Sequence, residues 1–211
     1  MLGRTHFFIG TAAALAVLQP QTVPALVAGA GAAAIGGLIS DIDVGTSQAH
    51  RDADKITTAT VAVAVLTILA EYKLNLGIYR RLTSDSSVLR LLAGTAAFLL
   101  ICAYGKQQPH RSFMHSFAAL ALLTACVDII YPDVSAYFAV GFLSHLVLDF
   151  FNRKPEKLFW PWKKGFCLGL CSARGLVNRA LLGCGMVSLA VVLVLSAPAG
   201  RLMAKIMRAI Y

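Results

Sequence analysis

Seven apolar segments separated by polar stretches constrain the fold of this chain more than any other feature. They cover residues 7–18, 25–40, 57–70, 88–104, 116–131, 136–151 and 180–199. A helix needs about 20 such residues to cross a bilayer, and only the last segment reaches that length comfortably. Only 14% of the residues are charged, against about 25% in a soluble domain. We therefore predict an all-α, polytopic membrane protein, a single domain over residues 1–211, with about five to seven membrane-embedded helices.

The basic excess of the chain limits its partners. Lys and Arg number 19 against 10 Asp and Glu, giving a net charge of +9. Such an excess is found in nucleic-acid-binding proteins, but no basic stripe interleaved with aromatic residues is present. The positive charge flanks the apolar segments instead, as in membrane proteins that face anionic lipid. We expect membrane lipid as the partner and no nucleic acid.

Residues 1–28 resemble a secretory signal peptide, with Arg4, an apolar stretch and small residues from Ala25 to Ala28. Cleavage there would remove a histidine that lies at the start of the first apolar segment. We expect the segment to be retained, which keeps His6 available as a metal ligand.

Ligand-type side chains cluster where four apolar segments begin or end. The candidates are His6, Asp41, Asp43, His110, His115, His145 and Asp149. Ionisable groups at membrane depth are costly, so their recurrence indicates a functional site. If all seven segments cross the membrane, the four clusters lie on one side of it. We predict a metal site at that interface. His50, in the following loop, is a weaker additional candidate.

The spacing of these residues suits metal ligands, although each cluster also has a simpler interpretation. Asp41 and Asp43 could chelate one cation or bridge two, or form an ordinary polar turn. His145 and Asp149 share one face of a helix, where the carboxylate would either bind metal or orient the histidine.

His110 and His115 bracket Arg111, whose planar charge suits a phosphate. In the simpler interpretation, His115 caps a helix and Arg111 anchors the chain at the membrane interface.

A basic and aromatic stretch follows at residues 152–164. Its Lys154, Lys157 and Trp160 are candidate substrate-binding residues above the metals, or members of an interfacial segment with Trp at headgroup level. Lys and Arg are more numerous on the predicted site side than on the other side, which places the site at the cytoplasmic face of the inner membrane.

The motifs, in this order, resemble the YdjM-like family of LexA-regulated inner-membrane proteins described as metal-dependent hydrolases. The matching pieces are Thr5-His6 with Gly10, Ile39–Asp43, His110–Ser116, Gly141–Asp149 and Leu158–Pro161. That family is distantly similar to zinc-dependent phospholipases C and single-strand nucleases, which implies phosphoester hydrolysis and the seven ligands named above. Ser40, Ser112, Met114 and Asn152 depart from the family pattern, in positions that affect turn geometry rather than ligands.

These observations predict a membrane-bound, metal-dependent hydrolase that cleaves a phosphoester in a phospholipid or lipid-linked phosphate. Seven ligands exceed the four of one tetrahedral zinc, so two divalent ions are expected, zinc first and manganese or magnesium as alternatives. Asp43 is the expected base, and Arg111 is expected to hold the anionic group. The rival hypotheses are a metal-ion transporter, with ligands nearer mid-helix, and a non-catalytic membrane factor with a structural metal. The oligomeric state is not predicted.

Overall fold

The computed structural model describes residues 2–45, 86–172 and 175–210. Across these ranges the backbone forms α-helices and two single turns of 3₁₀ helix, at Ser40–Asp43 and Phe113–His115, with isolated bridges in place of strands. The α-helices are α1 (Gly3–Leu18), α2 (Val23–Ile39), α3 (Ser86–Lys106), α4 (Phe117–Ile130), α5 (Pro132–Phe150), α6 (Leu176–Leu195) and α7 (Ala197–Ile210). The predicted all-α class is confirmed.

Four of the described helices are long and apolar enough to cross a membrane. They are Val23–Asp43, Ser87–Lys106, Pro132–Phe150 and Leu176–Leu195. Helices α1 and α4 are also apolar but have only 16 and 14 residues, so they are shorter than a full crossing. The predicted helical membrane protein is therefore confirmed as a fold class. The apolar segment 57–70 lies outside the described residues.

Helices α2 and α5 pack with their backbones almost in contact. A Cβ added at Gly36 would collide with the carbonyl of Phe138, and one at Gly141 would collide with the carbonyl of Ala33. Small residues permit this approach, which is the usual way that helices associate in a membrane. The packing brings the last two turns of α5 against the end of α2, where the candidate ligands lie.

Gly141→Ala is expected to destabilise the fold by about 1–3 kcal/mol, because the new methyl group must push α2 away from α5. Gly183→Ala in α6 is the matched control, since a Cβ there meets no atom within 4 Å. Thermal unfolding in detergent measures both. Equal melting temperatures for Gly141→Ala and wild type would contradict the close packing.

Four parts of the chain meet at one end of the helix bundle, which we call the site end. They are the start of α1, the end of α2, the 3₁₀ turn before α4 and the end of α5. The Thr5 hydroxyl donates to Asn178 Oδ1 over 3.0 Å, joining the starts of α1 and α6. Residues 151–172, the cap segment, close this end. Their backbone is held by paired hydrogen bonds between Glu156 and Phe166 and by a bridge from Asn152 to Cys171.

Candidate metal centre

The structure brings all seven predicted ligand residues together at the site end. His6 lies in the first turn of α1, Asp41 and Asp43 in the 3₁₀ turn after α2, and His145 and Asp149 in the last turns of α5. His110 precedes the second 3₁₀ turn and His115 is its last residue. Ser116 follows and accepts the Ala119 amide at 3.2 Å as α4 begins. The predicted convergence of the four clusters is present. His50 lies outside the described residues.

The ligand atoms form three overlapping groups, and within each group they lie within 4.8 Å of one another. The first group is His6, His145 and Asp149. The second group is Asp41, His115 and His145, and the third group is Asp43, His110 and His115. The first and third groups share no residue, whereas the second group takes one histidine from each of them. The arrangement is therefore an elongated cluster with two independent ends.

His145 has one nitrogen committed to the protein and one directed into the cluster. Its Nδ1 lies 2.8 Å from the Gly37 carbonyl, which can only accept, so Nδ1 carries the hydrogen. The ring stacks on His6 with 3.8 Å between centroids. Its Nε2 then offers a lone pair and lies 3.3 Å from His115 Nε2. A metal-bound histidine is usually oriented in this way, by a hydrogen bond from its other ring nitrogen to a backbone carbonyl.

The separations between ligand atoms fit a cation better than they fit hydrogen bonds. His6 Nε2 lies 3.4 Å from Asp149 Oδ1, and His115 Nδ1 lies 3.4 Å from Asp43 Oδ2. Among the described residues, both ring nitrogens of His6 and Nδ1 of His115 are buried without a hydrogen-bond partner, which is costly for buried polar atoms. Ligands about 2.0–2.1 Å from a tetrahedral zinc lie about 3.3 Å apart. These donors fit such an ion.

Arg111 is held rigidly beside the cluster. Its guanidinium donates to the Asp149 carboxylate and to the Lys154 carbonyl, and its amide donates to Asp43 Oδ2 over 3.2 Å. The backbone of Arg111 is left-handed, with φ of 64°, a conformation that non-glycine residues adopt mainly where the surroundings enforce it. His110 Nδ1 contacts the other oxygen of Asp43 at 2.9 Å. The planar cation is thereby fixed at the wall of the site.

A polar cavity of about 350 Å³ opens next to the ligands. It is lined by Asp41, His110, Arg111, Asp149, Asn152, Arg153, Lys154 and Ser172. Lys154, a predicted substrate-binding residue, is among them. Asn152, Arg153 and Ser172 were not predicted. Arg153 could have been inferred from its place in the same basic run, whereas Ser172 carries no sequence signal.

The other two predicted substrate-binding residues are outside the set that lines this cavity. The Lys157 amide donates to the Arg111 carbonyl over 3.0 Å, so its backbone supports the site. Trp160 packs its ring against Tyr104 and Phe113. Substrate contact by Lys157 and Trp160 stays a prediction.

Glu156 is a buried carboxylate that the sequence did not single out. It is 0% exposed, and neither side-chain oxygen has a hydrogen-bond partner among the described residues. Burial away from water, together with the negative charge of Asp149, raises the pKa of Glu156 to about 8, while Arg111 opposes the shift. Glu156 therefore remains protonated at neutral pH.

Glu156→Gln is expected to make the protein more stable at pH 8. In wild type the unfolded chain releases this proton near pH 4.5, but the folded chain holds it up to about pH 8. Folding stability thus falls by about 1.4 kcal/mol per pH unit between those values. The glutamine variant lacks this slope, which unfolding midpoints at pH 5, 6.5 and 8 will reveal. Asp133→Asn, at an exposed carboxylate, should keep the wild-type slope, and an equal slope in Glu156→Gln would refute the assignment.

Comparison with known protein families matches residues 1–209 to the YdjM inner membrane protein family. The chain belongs to this family. Comparisons with curated proteins and with solved structures gave no match. Membership of the YdjM family confirms the resemblance predicted from the five motifs. Together with the four apolar helices, it supports a location in the inner membrane.

Proposed function

We propose that this YdjM-family protein is a dinuclear, metal-dependent phosphoesterase that acts on a phospholipid or a lipid-linked phosphate. The observation that carries the proposal is the buried cluster of histidine and aspartate ligands beside a cavity walled by Arg111, Arg153 and Lys154. Ligands of this kind bind divalent cations. Fixed cationic side chains next to them favour an anionic group such as a phosphate.

Two ions fit the ligand set better than one or three. The first and third groups supply three separate ligands each, whereas the second group requires His145 and His115 as well. Because Nδ1 of His145 is bonded to Gly37, only its Nε2 lone pair remains for a metal, and it serves one ion at a time. Asp41 belongs to neither end group and lies between them, with Oδ1 3.8 Å from Nε2 of both His115 and His145. Mixed nitrogen and oxygen ligands favour zinc, with manganese as the next choice.

The side chains around the cavity would have different roles in phosphoester hydrolysis. When bound, the ions would lower the pKa of a water molecule and polarise a phosphoryl oxygen. Arg111 and Lys154 would hold the phosphate oxygens. A water attacking phosphorus would form the new P–O bond and pass its proton to Asp41; as the P–O ester bond breaks, the leaving alcohol oxygen would take up that proton from Asp41. Asp41 suits the role of base better than the predicted Asp43, because Asp41 lines the cavity whereas the Asp43 side chain is 0% exposed.

The surface of the cap segment supports a lipid substrate. Five of its large apolar side chains are exposed, namely Phe151 (37%), Phe159 (46%), Trp162 (70%), Leu168 (49%) and Leu170 (69%). Exposed apolar groups beside basic residues are typical of segments that lie at the headgroup level of a membrane. The ligands also lie at helix ends rather than at mid-helix, which favours an interfacial enzyme over the metal-ion transporter hypothesis.

Metal content and hydrolysis, measured on the same preparation, test the proposal. The protein is purified in detergent, metals are quantified per chain, and hydrolysis of phosphatidylglycerol, phosphatidic acid and a soluble phosphodiester is assayed. We expect about two zinc or manganese ions per chain and hydrolysis that chelator abolishes and metal restores. Absence of metal after reconstitution would overturn the proposal. Metal without hydrolysis of any phosphoester would favour the non-catalytic membrane factor.

A further inference from the structure

Helix α7 differs from the other described helices because its polar and apolar residues are segregated. Arg201, Lys205 and Arg208 recur at spacings of four and three residues, which puts them within about 60° on a helical projection. The opposite arc is apolar and consists of Leu202, Met203, Ile206, Met207 and Ile210. It is by far the most amphipathic of the described helices, a pattern typical of helices that lie in a membrane interface.

The position of α7 places it at the opposite end of the bundle from the metal cluster. Helix α6 begins at the site end, where Asn178 contacts Thr5, and its 20 residues span about 30 Å. Ser196 then adopts an extended conformation with ψ of 146°, which interrupts the helix. The Ser196 carbonyl accepts the Gly200 amide at 3.0 Å to start α7. Helix α7 therefore begins where a membrane-crossing helix ends.

Helix α7, as the structure describes it, is shorter than a membrane crossing, and two of its apolar side chains are exposed. Its 14 residues span about 21 Å, less than the hydrocarbon thickness of about 30 Å. Met203 is 62% exposed and Met207 is 49% exposed. Water is an unfavourable environment for such side chains. A helix of this length next to the end of α6 can bury them by lying along the membrane surface.

The charge of α7 selects the partner. The helix carries three cations and no acidic residue, and the sequence contains no Asp or Glu after Glu156. Anionic lipid headgroups attract the row of cations formed by Arg201, Lys205 and Arg208, and each cation adds to the binding free energy. The same row on a second copy of α7 would repel it. We propose that α7 is an anionic-lipid-binding helix that lies in the membrane interface at the end of the bundle opposite the metal cluster.

Methionine oxidation on the intact protein tests this without reference to any hydrolytic activity. The full chain is placed in nanodiscs of phosphatidylcholine alone or mixed with phosphatidylglycerol, and peroxide oxidation of each methionine is followed by mass spectrometry. Met114 is fully buried and serves as the slow reference. Three interfacial cations can change surface partitioning about 100-fold. We expect Met203 and Met207 to be oxidised about tenfold more slowly when anionic lipid is present.

Charge variants separate anionic lipid from other partners. In R201Q/K205Q/R208Q the difference between the two nanodisc compositions should disappear. The control K163Q/K164Q/R179Q removes three exposed cations elsewhere in the chain and should retain the difference. Fast oxidation in both compositions would show that α7 stays in water. Slow oxidation in both would show that apolar contacts or another protein surface cover it. Either result would overturn the proposal.

Discussion

His145→Ala is expected to remove one of the two bound metal ions and to lower kcat/KM for phosphoester hydrolysis by at least about 100-fold. Residues that merely support a metal ligand already account for 10–100-fold in affinity or activity. His145 belongs to both the first and the second ligand group, so its loss leaves His6 and Asp149 as the only residues of the first group. We expect about one ion per chain instead of two.

Metal content, thermal unfolding and kcat/KM should be measured together for this variant. Ser144→Ala is the matched control, because Ser144 precedes His145 on α5 and its hydroxyl donates to the Gly141 carbonyl over 2.7 Å. The control should keep two ions and wild-type activity. A folded His145→Ala protein that kept both its metals and its rate would show that His145 is a packing residue.

Sequence patterns were sufficient to predict the apolar helices among the described residues and the one end of the bundle where the ligands lie. The length of an apolar segment indicates a membrane-embedded helix. If successive helices run in opposite directions, ligands at alternate segment ends lie at the same face of the membrane. His145 and Asp149 were the clearest case, since a spacing of four residues directs both side chains to one face of α5. The face of α1 that carries His6 could be identified only once α1 was seen packed against α5.

The cap segment was the part that sequence could not predict. It has no helical or strand periodicity, and its shape depends on single backbone contacts such as those between Glu156 and Phe166. The packing of the Trp160 ring against Phe113 is an example, because the sequence around a Trp does not show which way its ring points. Glu156 gave no signal, because its burial depends on how the segment folds back over Arg111 and Asp149. Pairings between distant residues, such as Asp43 with His110, likewise required the fold.

Arg111→Lys is expected to lower kcat/KM about 100-fold while both metal ions remain bound. Lysine keeps the charge, but it lacks the planar fork with which Arg111 contacts the Asp149 carboxylate and the Lys154 carbonyl at once. Loss of one fixed donor to a developing negative charge typically costs 10²–10³ in rate. Steady-state kinetics on the phospholipid and on a soluble phosphodiester, with metal content per chain, will measure the effect.

The comparison with Arg111→Ala separates charge from geometry. If the site needs only a positive charge, Arg111→Lys will approach wild-type activity and Arg111→Ala alone will be impaired. If it needs the rigid fork, both variants will be impaired to a similar degree, which is our expectation because the left-handed backbone of Arg111 and its amide contact with Asp43 hold the guanidinium in one position. Arg179→Lys, at an exposed position in the first turn of α6, should behave as wild type. Parallel loss of metal in Arg111→Lys would instead assign Arg111 to holding Asp149 in place for the first ligand group.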